Sequence, residues 1–218
     1  VIIDNDVNAL TAAEQWFGSG RGVADFLVIS IGRGVGLGMV LDSRLYRGSR
    51  GGAGEFGHTT VVPDGPLCAC GKRGCLEALI SDPAITQRAA AALGREVTVQ
   101  EAVDGALGGD AALQSIFAAA GRTLGTAVAN LVNVLNPALI IISGEGLRAG
   151  ELVTAPFQRA LQEHCFDGLA DGLNVITEPW GDESWARGAA SLLLGELFQP
   201  ALRQGDEERP SLTIRAAG

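Results

Sequence analysis

Residues 54–77 read GEFGHTTVVPDGPLCACGKRGCLE, which is the most distinctive stretch of the chain. It holds three of the chain's four cysteines within eight positions, Cys68, Cys70 and Cys75. Two glycines stand between these cysteines, and glycine lets the backbone fold tightly enough for three sulfurs to converge. Thiolates bind zinc and similar ions strongly, so the crowding predicts a metal site rather than disulfide bonds.

A fourth ligand is needed, because three thiolates and one imidazole complete a closed tetrahedral zinc site. Of the two histidines in the chain, His58 lies ten residues before Cys68, whereas His164 falls on a distant predicted helix beside Cys165. We therefore predict a structural zinc ion with four ligands: His58, Cys68, Cys70 and Cys75. His164 and Cys165 are interpreted as surface and packing residues. The alternative for the cluster is a group of buried free cysteines, which seldom crowd in this way.

The segments around this loop predict a mixed sheet flanked by helices, which places the chain in the α/β class. Residues 26–31 are rich in β-forming side chains, 32–38 form a glycine turn, and 59–62 favour a short strand. Residues 111–135 have a long helical pattern, and 139–142 are apolar enough for a strand buried on both faces.

Bulk composition excludes some functions. The 218 residues carry a net charge of −9 and no run of basic residues, so we expect no DNA binding by this segment itself. No apolar stretch reaches 18 residues, which predicts no membrane span. The absence of a visible signal peptide, together with the cysteine cluster, predicts a cytoplasmic protein. The chain opens with Val1-Ile2-Ile3 and no Met, so we expect a fragment that lacks its N-terminal part.

Several motifs taken together resemble the ROK family of repressors, unassigned open reading frames and sugar kinases. The resemblance covers about residues 1–198. The motifs are Asn5-Asp6-Val7-Asn8-Ala9 with Glu14, Leu45-Tyr46-Arg47-Gly48, Glu55-Phe56-Gly57-His58, the cysteine segment through Glu77, Asn136-Pro137 and Gly188-Ala189-Ala190. Each motif alone is weakly specific, but the combination is highly specific.

The resemblance implies an actin-like ATPase (ribonuclease-H-like) fold, in which two lobes enclose a cleft, and a homodimer or tetramer. It assigns 1–24 to the end of the first lobe and 25–182 to the second lobe, with the zinc loop at 58–77. Residues 183–200 are assigned to a C-terminal helix that packs back toward the first lobe, and 201–218 to a tail.

The resemblance also implies a sugar site. Its contact residues are Asn5, Asp6, Glu55, His58 and Glu77, which supply the acceptors and donors that sugar hydroxyls need. A zinc-bound histidine can offer its second ring nitrogen to a hydroxyl while the metal fixes the ring. Asp6 matches the general base that takes the proton of the attacking hydroxyl in kinase members. Without the resemblance, Asn5 and Asp6 fit a turn equally well, and Glu55 and Glu77 fit solvated carboxylates.

Residues 32–38, GRGVGLG, lie where the family has its second phosphate motif, in which glycines let backbone amides approach phosphates. Kinase members usually have a threonine between the first two glycines, and this chain has Arg33. The arginine could pair with a phosphate or fill its space. The alternative is a plain glycine hairpin. The predicted nucleotide-side residues are Gly32, Arg33, Gly34, Gly36, Gly144 and Gly146. The family's first phosphate motif, an Asp-Gly-Thr turn, would lie upstream.

ROK repressors often keep the zinc and sugar residues and lose the phosphate threonine, and this sequence resembles that group. We therefore expect the effector-binding domain of a sugar-responsive transcriptional regulator, which contacts DNA only through a preceding N-terminal domain. The alternative is a sugar kinase that uses ATP and Mg²⁺, with Asp6 as its base. Members that take a hexose, a pentose or an amino sugar share these residues, so the motifs leave the sugar open.

Overall fold

A five-stranded mixed sheet forms the centre of the computed structural model, which describes residues 4–178 and 186–192. The strands are β1 (Phe26–Ile31), β2 (Val35–Leu41), β3 (Arg44–Leu45), β4 (Leu139–Ser143) and β5 (Asn174–Glu178). Their order across the sheet is β3-β2-β1-β4-β5. β1 pairs antiparallel with β2 and parallel with β4, and β4 pairs parallel with β5. The prediction of a mixed sheet flanked by helices is confirmed.

Six α-helices connect or flank these strands within residues 4–178. They are α1 (Asp6–Phe17), α2 (Glu77–Ile80), α3 (Asp82–Leu93), α4 (Val99–Leu107), α5 (Ala111–Leu135) and α6 (Glu151–His164). Short 3-10 turns lie at Phe56–His58 and Glu145–Leu147. The Asp110 carboxylate caps the start of α5, and Asn136 ends it in a left-handed conformation immediately before Pro137. The predicted bounds of this helix are therefore confirmed.

The two faces of the sheet bury different elements. The larger core packs helices α2 to α6 on side chains that include Leu27, Ile29, Ile140 and Ile142. Their neighbours Phe26, Val28, Leu139 and Ile141 point to the opposite face and form a second cluster. β1 and β4 are thus buried on both faces, as the apolar composition of 139–142 predicts.

The glycine run is shorter as a turn than its sequence predicts, because β2 already begins at Val35. Its later glycines serve packing against α1. A Cβ atom at Gly36 would lie 2.5 Å from Val7 Cγ2, and one at Gly38 would lie 1.8 Å from Thr11 Oγ1. Glycine is needed there so that helix and strand approach closely.

The prediction of a short strand at 59–62 is wrong. The segment forms only an isolated bridge between Thr60 and Cys75, outside the sheet. The backbone N–H groups of Val61 and Val62 both donate to the Gly74 carbonyl, at 2.9 and 3.2 Å. The segment therefore pairs with the cysteine loop, so its β-forming composition produces one arm of that loop.

The C-terminal predictions are only partly within the described residues. Residues 186–192 are helical, in agreement with a helix near 183–200, while the rest of that range and the tail at 201–218 lie outside the described residues. Among the described residues, no helix combines the length and the apolar character that crossing a bilayer requires. The division between lobes near residue 24 stays a prediction.

Candidate functional site

A cavity of about 550 Å³ opens where the parallel strands β1 and β4 end side by side. The carboxyl ends of parallel strands are the usual place for a binding crevice in α/β sheets. The lining comprises Asn5, Asp6, Val7, residues 30–37, Gly54, Glu55, His58, Glu77, Gly144 and Glu145. All five side chains predicted to contact a sugar therefore meet at one cavity, although they come from three separate segments of the chain.

Asn5 and Asp6 stand at the N-terminus of α1 and are both exposed. Asn5 Oδ1 accepts a hydrogen bond of 2.8 Å from the Val7 N–H, which makes Asn5 the N-cap of the helix. Asp6 Oδ1 lies 2.8 Å from the same N–H. No described residue bonds Asn5 Nδ2 or Asp6 Oδ2. The interpretation of Asn5 and Asp6 as turn residues and their prediction as ligand contacts are therefore compatible, because the helix cap uses only one polar atom of each side chain.

The four predicted metal ligands converge. Their ligand atoms all lie within 4.8 Å of one another. His58 Nδ1 is 3.6 Å from Cys68 Sγ, and Cys70 Sγ is 3.6 Å from Cys75 Sγ. A tetrahedral zinc ion with Zn–S of about 2.3 Å and Zn–N of about 2.0–2.1 Å places neighbouring ligand atoms about 3.6–3.8 Å apart. The donor set and its spacing therefore fit such an ion.

The environment of the sulfurs differs from one to the next. Cys68 and Cys75 are buried, whereas Cys70 is exposed. Burial raises the pKa of the Cys75 thiol to about 11, and the neighbouring sulfurs raise it as well. The Lys72 backbone N–H lowers the pKa of Cys70 by hydrogen bonding to its sulfur. A buried thiolate at position 75 needs a cation beside it, and a divalent metal would supply that charge.

The backbone of the cysteine loop is constrained by its own hydrogen bonds. The Cys68 N–H donates to the Lys72 carbonyl at 2.8 Å, and Lys72 Nζ donates to the His58 carbonyl at 2.6 Å. Gly74 has φ +70°, and a Cβ atom there would lie 1.6 Å from the Val62 carbonyl oxygen. Only glycine fits this position, so the loop geometry that gathers the sulfurs depends on Gly74.

His58 connects the sulfur cluster to the cavity. Its Nδ1 atom faces Cys68, whereas its Nε2 atom lies 4.0 Å from Glu55 Oε2. The His58 side chain is 31% exposed and the Glu55 side chain 63%. The ring can therefore give one nitrogen to a metal and present the other, beside a carboxylate, to a ligand in the cavity.

Glu77 has a contact that the sequence did not predict. It is half-buried at the first position of α2, and its Oε2 accepts a hydrogen bond of 3.1 Å from the Val35 N–H. The same oxygen lies 3.0 Å from where a Cβ atom of Gly34 would be. Glu77 therefore holds the end of the glycine turn as well as lining the cavity.

The predicted nucleotide-side residues separate into two groups. Gly32, exposed Arg33, Gly34 and Gly36 line the cavity, and so does Gly144. Gly146 instead packs under the loop, where a Cβ atom would lie 2.5 Å from Ile31 Cγ2. Gly146 does not line this cavity, and its position serves close packing of this loop on β1, so its role toward a nucleotide stays a prediction.

Sequence reasoning missed Glu145, which adds a carboxylate to this side of the cavity. Arg148 lies 2.6 Å from Glu145 Oε2 and 3.4 Å from Asp82 Oδ2. Burial raises the pKa of Asp82, while the Arg148 charge lowers it. A second cavity of about 610 Å³ adjoins this ion pair and shares Gly144 and Glu145 with the first.

Residues 1–196 match the family model described as the ROK family. The chain belongs to the ROK family. The match includes every cavity residue and every metal-ligand candidate described above, so the resemblance carried by the motifs is confirmed.

The ROK relatives include both kinases and repressors. The chain is 32% identical to a glucokinase of Halalkalibacterium halodurans over 95% of this chain and 67% of that protein. It is 29% identical to a xylose repressor of Caldicellulosiruptor bescii over 91% of this chain and 53% of that protein. The chain thus spans between half and two thirds of the length of these relatives.

Solved ROK structures show the same fold. A glucokinase from Streptomyces griseus, in complex with glucose and AMPPNP, superposes with a TM-score of 0.76 at 32% identity, over 88% of this chain and 67% of that one. The fold is therefore the actin-like one that the motifs imply.

Proposed function

We propose that this chain is the carbohydrate-binding lobe of a ROK-family transcriptional regulator and that it holds a structural zinc ion. The observation that carries the proposal is the meeting of Asn5, Asp6, Glu55, His58 and Glu77 at one cavity, beside the cluster of three cysteines. In the full protein, DNA binding belongs to a separate N-terminal domain, and two or four copies assemble.

A sugar suits the chemistry of this wall of the cavity. Three carboxylates supply acceptors for hydroxyl groups, while Asn5 Nδ2 and His58 Nε2 supply donors. Hydrogen bonds to charged acceptors are stronger than neutral ones, so Asp6, Glu55 and Glu77 provide most of the affinity. A neutral polyol also adds no negative charge beside them.

The zinc ion would be held by His58, Cys68, Cys70 and Cys75. With four protein ligands it keeps no open position for an activated water, so its contribution is structural. It fixes the His58 ring, and it fixes the start of α2, which carries Glu77, through the nearby ligand Cys75. The metal would therefore position the side chains of His58 and Glu77 for the sugar without contacting the sugar itself.

The opposite wall favours a regulator over a kinase. Arg33 stands between the first two glycines of the turn, where kinase members usually have a threonine that can bond phosphates. Glu145 lies beside Gly144 on the same side and is paired with Arg148 at 2.6 Å. Arg33 removes that hydroxyl from the nucleotide side and leaves the sugar residues in place.

The test uses the full-length protein and titrates D-glucose, D-xylose and N-acetylglucosamine by calorimetry. We expect one of them to bind, and we expect Asp6→Asn to weaken that binding at least about tenfold, because a charged acceptor is lost. Asp171→Asn changes an exposed carboxylate outside the cavity and serves as the matched control. Binding by none of the sugars, or unchanged affinity in Asp6→Asn, contradicts the proposal.

A sugar kinase is the second candidate, favoured by the position of Asp6 and by the glucokinase relatives. There Asp6 would accept the proton of the attacking hydroxyl while Mg²⁺-ATP supplied the phosphoryl group. Sugar-dependent ADP release by the full-length protein, abolished in Asp6→Asn, would establish this function. Sugar-dependent change in operator binding without ADP release would establish the regulator.

A further inference from the structure

Asp4 is a nearly buried carboxylate immediately before the cavity residues Asn5 and Asp6. Its side chain is 9% exposed and is not part of the cavity lining. Both carboxylate oxygens are bonded. Oδ1 accepts from the Asn5 backbone N–H at 2.8 Å and from Asn8 Nδ2 at 2.7 Å, and Oδ2 accepts from Arg47 Nε at 2.7 Å.

The Asp4 carboxylate is charged at neutral pH. Burial raises its pKa, but the hydrogen bonds from Asn8 and Arg47 outweigh burial and hold the pKa below the ordinary value of 3.8. The Asn8 amide that donates to it is itself buried at 2% exposure. A charged acceptor with fixed donors on both oxygens is a rigid attachment point for the backbone beside it.

Arg47 lies at the start of the segment that carries Glu55 and His58. The N–H of the preceding residue, Tyr46, donates to the Met39 carbonyl in β2 at 2.8 Å. The Arg47 carbonyl accepts from the Ala53 N–H at 3.1 Å, which closes a loop that leads directly to Glu55. Arg47 is therefore fixed to the sheet on one side and to the cavity segment on the other.

We infer that Asp4 and Arg47 are positioning residues that set the distance between the two halves of the sugar site. One half is Asn5 and Asp6 on α1, and the other is the segment of Glu55 and His58. The ion pair directly links Asp4, which precedes Asn5, to Arg47, which begins the segment that leads to Glu55. It therefore fixes how the polar atoms of the two segments face one ligand. The inference rests on the proposed sugar function, which the test separates from the link itself.

The affinity test uses the full-length protein and D-glucose, or whichever of D-xylose and N-acetylglucosamine binds best. Asp4→Asn and Arg47→Gln are each expected to weaken binding about tenfold, because a charge-assisted hydrogen bond is lost. The double variant is expected to be no weaker than either single one, since the pair acts as a unit. Arg47→Lys, which keeps the cation, is expected to recover part of the affinity.

A role confined to stability gives a different result, namely lower thermal stability with unchanged affinity of the folded protein. Arg95→Gln breaks an exposed ion pair with Glu101 outside the cavity and is the matched control. Additive losses in the double variant, or unchanged affinity in both single variants, overturn the inference.

A sugar-independent measurement tests the link separately. Amide hydrogen exchange by NMR should be faster at Asn5 in Asp4→Asn and in Arg47→Gln than in the parent protein, and unchanged in Arg95→Gln. Unchanged exchange at Asn5 refutes the positioning role whether or not a sugar binds. Faster exchange in a protein that binds no sugar keeps the link and refutes only the proposed function.

Discussion

The two walls of the cavity are built in different ways. On the metal side, Glu77 bonds the Val35 amide, and His58 has one nitrogen at the sulfur cluster and the other beside Glu55. On the glycine side, Arg33 lies on an exposed turn where no described residue bonds its guanidinium. Separate backbone segments make the two walls, so the residues that would meet phosphate can change while those that would meet a sugar stay in place.

Removing one of the three thiolates should have the largest effect on the difference between the two walls. Cys70→Ala should reduce zinc from about one ion per chain to almost none and should disorder the metal wall, because a structural zinc ion supplies much of the folding free energy of its own loop. Elemental analysis and the near-ultraviolet circular dichroism spectrum measure this. Cys165→Ala alters a cysteine outside the cluster and should keep its zinc. Undiminished zinc in Cys70→Ala would refute the four-ligand assignment.

Two glycines of the same loop provide a finer comparison. Gly71 has φ +89° with nothing within 4 Å of an added Cβ, whereas Gly74 has φ +70° and faces the Val62 carbonyl at 1.6 Å. Gly71→Ala should cost about 1–2 kcal/mol from its left-handed backbone. Gly74→Ala should cost about 1–3 kcal/mol more, because it also clashes with backbone.

Urea unfolding of the zinc-loaded protein and the rate of zinc transfer to a chelator both report this difference. Equal effects of the two substitutions would show that contact with Val62 does not shape the loop.

Arg33→Thr sharpens the contrast from the glycine side. It restores the hydroxyl usual in kinase members and removes a bulky cation, so we expect the full-length protein to bind AMPPNP about tenfold more tightly, the scale of one charge-assisted hydrogen bond. Sugar affinity should not change. Arg50→Thr, at an exposed position outside the cavity, is the control. Weaker AMPPNP binding in Arg33→Thr would mean that Arg33 pairs with phosphate.

The smallest expected effect concerns acid. The folded pKa of Asp4 is lower than its ordinary value of 3.8, so the stability that the carboxylate contributes is present above pH 3.8 and is lost as the pH falls through the folded pKa. Asp4→Asn should therefore reduce the free energy of unfolding at pH 6. Below pH 3.8, the free energy of unfolding should fall less steeply with decreasing pH in Asp4→Asn than in the parent protein. Parallel pH profiles of the two proteins in urea unfolding would contradict this.

The convergence of the four candidate metal ligands could be predicted from sequence because the pattern that points to it is local. Cys68, Cys70 and Cys75 lie close along the chain with glycines between them, and the choice of His58 needed only proximity. The long helix ending at Asn136 was equally accessible, since its apolar period and its stop signal both lie in the sequence.

The contacts that join distant segments could not be predicted in this way. Glu77 meets Val35 across 42 positions, and Asp4 meets Arg47 across 43 positions. A single carboxylate has no periodic pattern that names its partner. The start of β2 was misplaced for a related reason, because glycines that favour a turn locally are required by a helix that packs over them.

The bond between Glu77 and Val35 has a consequence for the proposed zinc site. Only Leu76 separates Glu77 from the candidate ligand Cys75, and Leu76 is fully buried, so we expect displacement of Cys75 to displace Glu77 as well. Chelation at the sulfurs would free the amide at the far side of the cavity. If the chain holds the proposed zinc ion and sugar, loss of zinc would therefore disturb both the Glu77 side of the cavity and the glycine turn, and zinc availability would then affect sugar binding.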